Sequence, residues 1–305
     1  MASLKNIKLK ILSYKKTGTV THALEAVSAV KMRKSQERAL GGRAYAAAAL
    51  SVLERLAGTA DVARHPLLKE RSGKTCIIII TSDKGLAGSL NSGVIRKVEQ
   101  ELSRSNLDKK SVVIIAIGRR GGDYFASRGY DVRVKHENIA DGVSEREIRA
   151  ATDKILELHA AGEIGQCLVA YQNFISTFEQ QPTVRQIVPI TPETMREFVA
   201  GIRPARGKYA PVQGESLDKP AVYTIEPDPD TVLAELLPKL LNIAVFHALL
   251  ESKASEHSAR MVAMKSATDK AKEMAGDLTR TFNKARQSAI TREVSEITSG
   301  IEAMR

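Results

Sequence analysis

The chain has 305 residues, with 46 basic and 35 acidic side chains, a net charge of +11, 4% aromatics and no tryptophan. The charge favours an acidic partner, while the scarcity of aromatics argues against reading single-stranded nucleic acid by base stacking. Two cysteines without a neighbour at ligand spacing, and six histidines with no HExxH, argue against zinc and redox chemistry.

The first 65 residues contain no proline and are predicted as one long helical segment, 1–65. Its opening, "MASLKNIKLKILSYKK", lacks the apolar run of a secretory leader, so none is expected. Leu4, Ile7, Ile11 and Tyr14 step by three and four residues. The stripe shifts phase around Thr17-Gly18-Thr19 and resumes at Val20, Leu24 and Val27, as in a coiled-coil seam with a local change of supercoil. Residues 1–45 carry ten basic side chains against two acidic ones, densest at Lys31-Met32-Arg33-Lys34. A merely solvated helix face mixes signs, so this bias points to an acidic surface opposite. Met32 either packs into the seam or offers an adaptable contact.

Residues 70–222 read as an α/β domain. "KTCIIIITSD", "SVVIIAIG", "YDVRVKHE", "GQCLVAYQNF" and "TVRQIVPI" are predicted strands, alternating with helices near Ser92–Ser103, Arg119–Ser127 and Glu145–Ala160. Continuous apolar strands with intervening helices predict a Rossmann-like fold with a mostly parallel sheet. Cys76 and Cys167 lie in two of these strands and read as separate buried small hydrophobes. Neither "CIIII" nor "VVIIAI" approaches the ~20 residues of a membrane helix, so no direct membrane insertion is expected. Residues 201–219, rich in Gly, Pro and charge, read as an exposed linker.

The stretch "SGKTCIIIITSDKGLAGSLN" invites a nucleotide reading. Its Gly73-Lys74-Thr75 precedes a strand rather than following it, and Leu68 stands where a Walker loop needs glycine. Gly85 and Gly88 do follow the strand, but as GxxG, and are expected to serve only the turn into the next helix. Glu226, Asp228 and Asp230 in "EPDPD" lack calcium-loop spacing and read as a solvated acidic turn. No nucleophile–base set can be assembled, so neither catalysis nor a cofactor is expected.

Residues 223–305 are predicted as the second long helix. A helix over the 67 residues after Pro238 would run roughly 100 Å, too long for a compact domain. Ala271, Ala275, Leu278, Phe282 and Ala285 form a seam, resumed out of phase at Ile290, Val294, Ile297 and Ile301. The two ends are therefore expected to pair as a long antiparallel coiled coil of N- and C-terminal helices.

"KMRKSQERA" (31–39), "TSDKGLAGSLN" (81–91), "YTIEPDPDTVLAELL" (223–237), "SEHSARMVAMKSATDKAKEM" (255–274) and "FNKARQSAITREVSEITSGIEAM" (282–304) resemble, in order and over nearly the whole chain, the γ subunit family of F-type ATP synthases. The resemblance implies a central-stalk rotor that couples proton-driven rotation of a c ring to conformational change at catalytic β subunits. It implies no catalysis and no cofactor in this chain. The implied partners are α and β subunits, an ε subunit and the c ring, with no nucleic acid. The implied location is peripheral, on the cytoplasmic side of a bacterial plasma membrane or an equivalent energy-transducing membrane. Lys31, Met32, Arg33 and Lys34 resemble shaft residues facing acidic β lever loops. Arg286, Gln287 and Thr291 resemble polar β contacts near the same level. Arg260, Met261 and Met264 resemble the neck of the coil, and Tyr223 and Glu226 a foot facing ε and the c ring. The chloroplast dithiol loop has no counterpart, so no thiol regulation is expected. Two alternatives remain from the residues themselves: a basic coiled-coil nucleic-acid binder, and a nucleotide enzyme built on Gly85 and Gly88.

Overall fold

A computed structural model describes residues 4–41, 65–69, 71–191, 193–194, 196 and 228–304. In chain order the main elements are α1 (Leu4–Gly41), β1 (Lys74–Ile80), α2 (Leu90–Arg104), β2 (Val112–Ile117), α3 (Arg119–Ser127), β3 (Asp131–His136), α4 (Glu145–Ala160), β4 (Ile164–Phe174), β5 (Gln180–Val188) and α5 (Pro229–Glu302). They form two compact units. One comprises residues 30–259 and the other residues 1–29 with 260–305.

The first unit is built on a five-stranded sheet ordered β3-β2-β1-β4-β5, parallel except for β5. Strands β1 and β2 are buried almost end to end, which is why they read as unbroken aliphatic runs. Successive side chains alternate between two cores. Ile77, Ile79, Ile114 and Ala116 meet Val94, Val98 and Phe125 from α2 and α3. Ile78, Ile80, Ile115 and Val169 meet α4, through Ile148 and Ile155, and α5, through Leu233, Leu237, Leu241 and Val245. The strands and helices expected in the sheet domain form, with α3 and α4 at their expected bounds, whereas residues 42–64 of the expected first helix and the expected linker 201–219 lie outside the described residues.

The two cysteines are buried, as expected, and are also neighbours. Cys76 and Cys167 are direct partners in the β1–β4 register, both reduced and fully buried. Sequence distance concealed this pairing because a crossover returns β4 beside β1. Burial, with Cys76 beside it, pushes the Cys167 thiol well up, away from the reactive thiolate. Helix α5 lies within the predicted segment 223–305 and runs through Pro238, beyond the proline-free stretch alone. An interior proline costs about 3 kcal/mol, and the burial of Leu233, Leu237, Leu240 and Leu241 on the sheet offsets it. Asp228 caps this helix, its carboxylate accepting from Thr231 N–H at 2.9 Å and from its hydroxyl at 2.7 Å, with Pro229 at the first helical position. The "EPDPD" turn is thus in part a helix start. One stretch of α5 is long and apolar enough to cross a membrane, and 61% of it is buried within the protein.

The second unit is a two-helix rod. Thr21 and Thr268 hydroxyls meet at 2.7 Å, and a Cβ on Gly18 would stand 3.7 Å from that of Ala271. These pairs fix an antiparallel register. The seam on α1 runs through Ile7, Gly18 and Thr21, while Val20 and Val27 are 58% and 52% exposed. The expected phase shift onto Val20 and Val27 therefore does not occur. Thr21 returns its hydroxyl to the Thr17 carbonyl and Ser28 to Leu24, so these short polar side chains sit in a close seam without losing hydrogen bonds. Bulkier valines would hold the helices apart.

Candidate interaction surfaces

The "TSDKGLAGSLN" loop closes the place where a doubly wound sheet would hold an anion. Three N–H groups open α3, and all three are taken by this loop. Arg119 N–H donates to Asp83 Oδ1 at 3.0 Å, Arg120 N–H to the Ser82 carbonyl at 3.3 Å, and Gly121 N–H to Thr81 Oγ1 at 2.8 Å. Asp83 Oδ2 accepts from Asn138 N–H at 3.0 Å, and Asn91 locks Ser82 from the other side. The carboxylate of Asp83 stands where a phosphate would otherwise be drawn by the helix N-terminus. Of the two glycines expected to make the turn, Gly88 does so at φ +57°, but its companion is Leu86 at φ +64°, not Gly85. Asp83→Ala leaves two N–H groups without their partner. It is expected to lower stability by about 1–2 kcal/mol, read as a shift of the denaturant midpoint.

The basic cluster on α1 divides by direction. Met32 is 7% exposed and Ser35 is buried, so Met32 packs inward. Lys31 turns to the sheet domain, its Nζ 2.7 Å from Asp141 Oδ2. Arg33 and Lys34 face solvent. Met264 is buried in the rod, with Arg260 and Met261 half-buried beside it. Tyr223 and Glu226 lie outside the described residues.

Arg286, Gln287 and Thr291 are exposed, with the Thr291 hydroxyl donating to the Gln287 carbonyl at 3.0 Å. Within the rod, the register set by Gly18 and Ala271 puts Leu4 opposite Ala285, so these residues lie on α5 just past the described start of α1. Lys31–Lys34 belong to the sheet-bearing unit.

Two apolar surfaces escaped sequence reasoning as surfaces. Leu9, Leu12, Val20 and Val27 are 50–58% exposed on the side of α1 turned away from its seam. Their steps of three, eight and seven residues keep them on one helix face, and two of them, Val20 and Val27, are the residues expected in the seam. Ile290, Val294, Ile297 and Ile301 are 52–60% exposed along the end of α5, past the described part of α1. Between the helices, Gly18, Ala271, Ala275 and Gly276 leave a shallow groove of about 600 Å³. The rod therefore presents apolar ridges set among exposed cations.

A family model described as ATP synthase matches residues 3–304. The chain is 37% identical to the ATP synthase gamma chain of Heliobacterium modesticaldum over 305 residues, and 36% identical to that of Pelotomaculum thermopropionicum, each match covering 100% of both chains. Its structure is similar to a chain of the Euglena gracilis mitochondrial ATP synthase, with a TM-score of 0.65 and 17% identity, covering 99% of this chain and 94% of that one. A chain from the Tetrahymena thermophila mitochondrial ATP synthase central stalk and c-ring matches with a TM-score of 0.59 at 22% identity, covering 81% of this chain and 99% of that one.

Proposed function

The chain belongs to the ATP synthase gamma-chain family, and on that premise we propose that it is the rotating shaft of the central stalk, without catalysis of its own. The observation that carries this reading is the rod, an antiparallel helix pair whose outer surface combines exposed aliphatic side chains with exposed cations. A partner that surrounds such a rod is moved by it only through differential affinity for the faces it presents. The partners are the α and β subunits around the rod, with ATP made or split on β. The ε subunit and the c ring meet the other end of the chain, at the edge of the membrane on its cytoplasmic side. Arg33 and Lys34 are the cations of the basic cluster that face acidic β segments. Arg286, Gln287 and Thr291 make polar contacts farther along.

Nothing in the relatives supports the nucleic-acid alternative, and the Asp83 clasp leaves no anion cradle for the nucleotide-enzyme alternative. Reconstitution of α and β subunits with and without this chain tests the proposal. The chain is expected to be required for rapid ATP hydrolysis, and alone to neither bind nor split ATP. Equal hydrolysis without it would overturn the reading.

A further inference from the structure

The loop between β3 and α4 carries one carboxylate, Asp141, that ties the sheet to both long helices. Its Oδ2 lies 2.7 Å from Lys31 Nζ on α1. Its Oδ1 lies 2.9 Å from His257 Nε2 and 4.0 Å from Lys253 Nζ, both on α5. Each oxygen thus serves a different helix. The backbone repeats the arrangement: Arg38 of α1 donates to the Asp141 carbonyl at 2.5 Å, and Lys253 of α5 to the Ile139 carbonyl at 3.0 Å. The same loop is fixed to the sheet through Asn138 N–H and Asp83.

The environment is partly desolvated, which distinguishes this cluster from a surface ion pair. The His257 and Lys253 side chains are 4% and 11% exposed, and Asp141 is 33% exposed. The hydrogen bond from His257, followed by that from Lys31, holds the Asp141 carboxyl below the ordinary carboxylate range, against the opposing effect of burial. The donors facing it come from every element packed around it: Lys31 and Arg38 from α1, Lys253 and His257 from α5. Since the carboxylate accepts from His257 Nε2, that ring nitrogen carries the proton.

We propose that Asp141 is a positioning residue for torque transfer, the latch through which the sheet-bearing unit grips α1 and α5 together so that both turn with it under load. This rests on the shaft reading. A shaft made of two chain segments transmits torque only if neither slips against the body that drives it. Among the described contacts, two side chains of α1, Lys31 and Arg38, meet the β3–α4 loop, and both end on Asp141. Asparagine at 141 keeps one acceptor but turns an amide N–H₂ toward either the Lys31 ammonium or the α5 donors. It therefore releases one helix while preserving shape.

The test uses the complete complex in sealed vesicles, measuring proton-driven ATP synthesis, ATP hydrolysis and protons pumped per ATP hydrolysed. Asp141→Asn is expected to lower synthesis about fivefold and to lower protons pumped per ATP, while hydrolysis changes by less than about twofold. Asp141→Glu should restore most of the coupling. Arg38→Gln, on an exposed stretch of α1, should give the same split in weaker form, and decides the matter if Asp141→Asn fails to assemble. An unchanged ratio of pumping to hydrolysis in both variants would overturn the latch. Failure of the shaft reading itself is distinguishable, because the unsubstituted complex would then synthesise ATP equally well without this chain.

Discussion

Replacing Val20 and Val27 together with aspartate is expected to lower proton-driven ATP synthesis by at least about tenfold in a complex that still assembles. Both side chains are more than half exposed, so the fold has little stake in them, and surface changes of this kind shift stability by only about ±0.5 kcal/mol. Against a partner, each buried valine is worth roughly 1.5 kcal/mol or more, so the pair supplies on the order of 3 kcal/mol of contact. An exposed ion pair supplies only ~0–1 kcal/mol. Arg33→Gln with Lys34→Gln should therefore cost synthesis less than about fivefold. Lys31 is left out of that comparison because its charge is engaged by Asp141, so changing it would alter two things at once. If the two cation changes reduced synthesis as severely as the two valine changes, charge rather than shape would dominate the contact.

Gly118→Ala should destabilise the sheet domain by about 4 kcal/mol, a large part of the ~5–15 kcal/mol that holds an ordinary domain together. Gly118 follows β2 and opens α3 at φ +95° and ψ +141°, where side chains other than hydrogen are strained. An added Cβ would also stand 1.9 Å from the Thr81 carbonyl oxygen, inside the clasp that closes the start of α3. Gly129→Ala separates the two causes. Its φ is +78° but nothing lies within 4 Å of the added Cβ, so only the backbone cost of about 1–2 kcal/mol applies. Denaturant midpoints of the two variants should differ accordingly. Equal midpoints would mean that the loop after β1 yields to Gly118 without cost.

The α/β layer was legible because its signal is local. A run such as Ile77–Ile80 has one stable fate, a strand covered on both faces, and the helix over residues 145–160 announces itself with a capping box at Ser144 and Glu147. The rod was legible in kind, and in phase at Ile7, Ala271 and Ala275, but not on α1 past Thr17. Its seam is made of Gly18, Thr21 and Ser28, which look polar or featureless by residue type. The aliphatic residues that look like a seam, Val20 and Val27, face outward. The basic cluster was legible as a feature of charge, but nothing near Lys31 in sequence shows that Asp141 neutralises it across 110 positions. Gly85 and Gly88 resembled a phosphate loop because the same backbone turn serves both purposes. The difference lies in Asp83, whose partners Arg119 and Asn138 are again distant in sequence. What sequence concealed is in each case a long-range polar contact or a small residue doing a large residue's task.

Rotation is the central claim, and it can be watched directly. Cys76 and Cys167 are fully buried, so a single cysteine introduced by Lys110→Cys on the exposed loop before β2 would take a probe selectively. With α and β subunits fixed to a surface and ATP supplied, the probe on this chain is predicted to turn continuously in one direction. A probe that stays still, or jitters without direction, in complexes that are hydrolysing ATP would contradict the account.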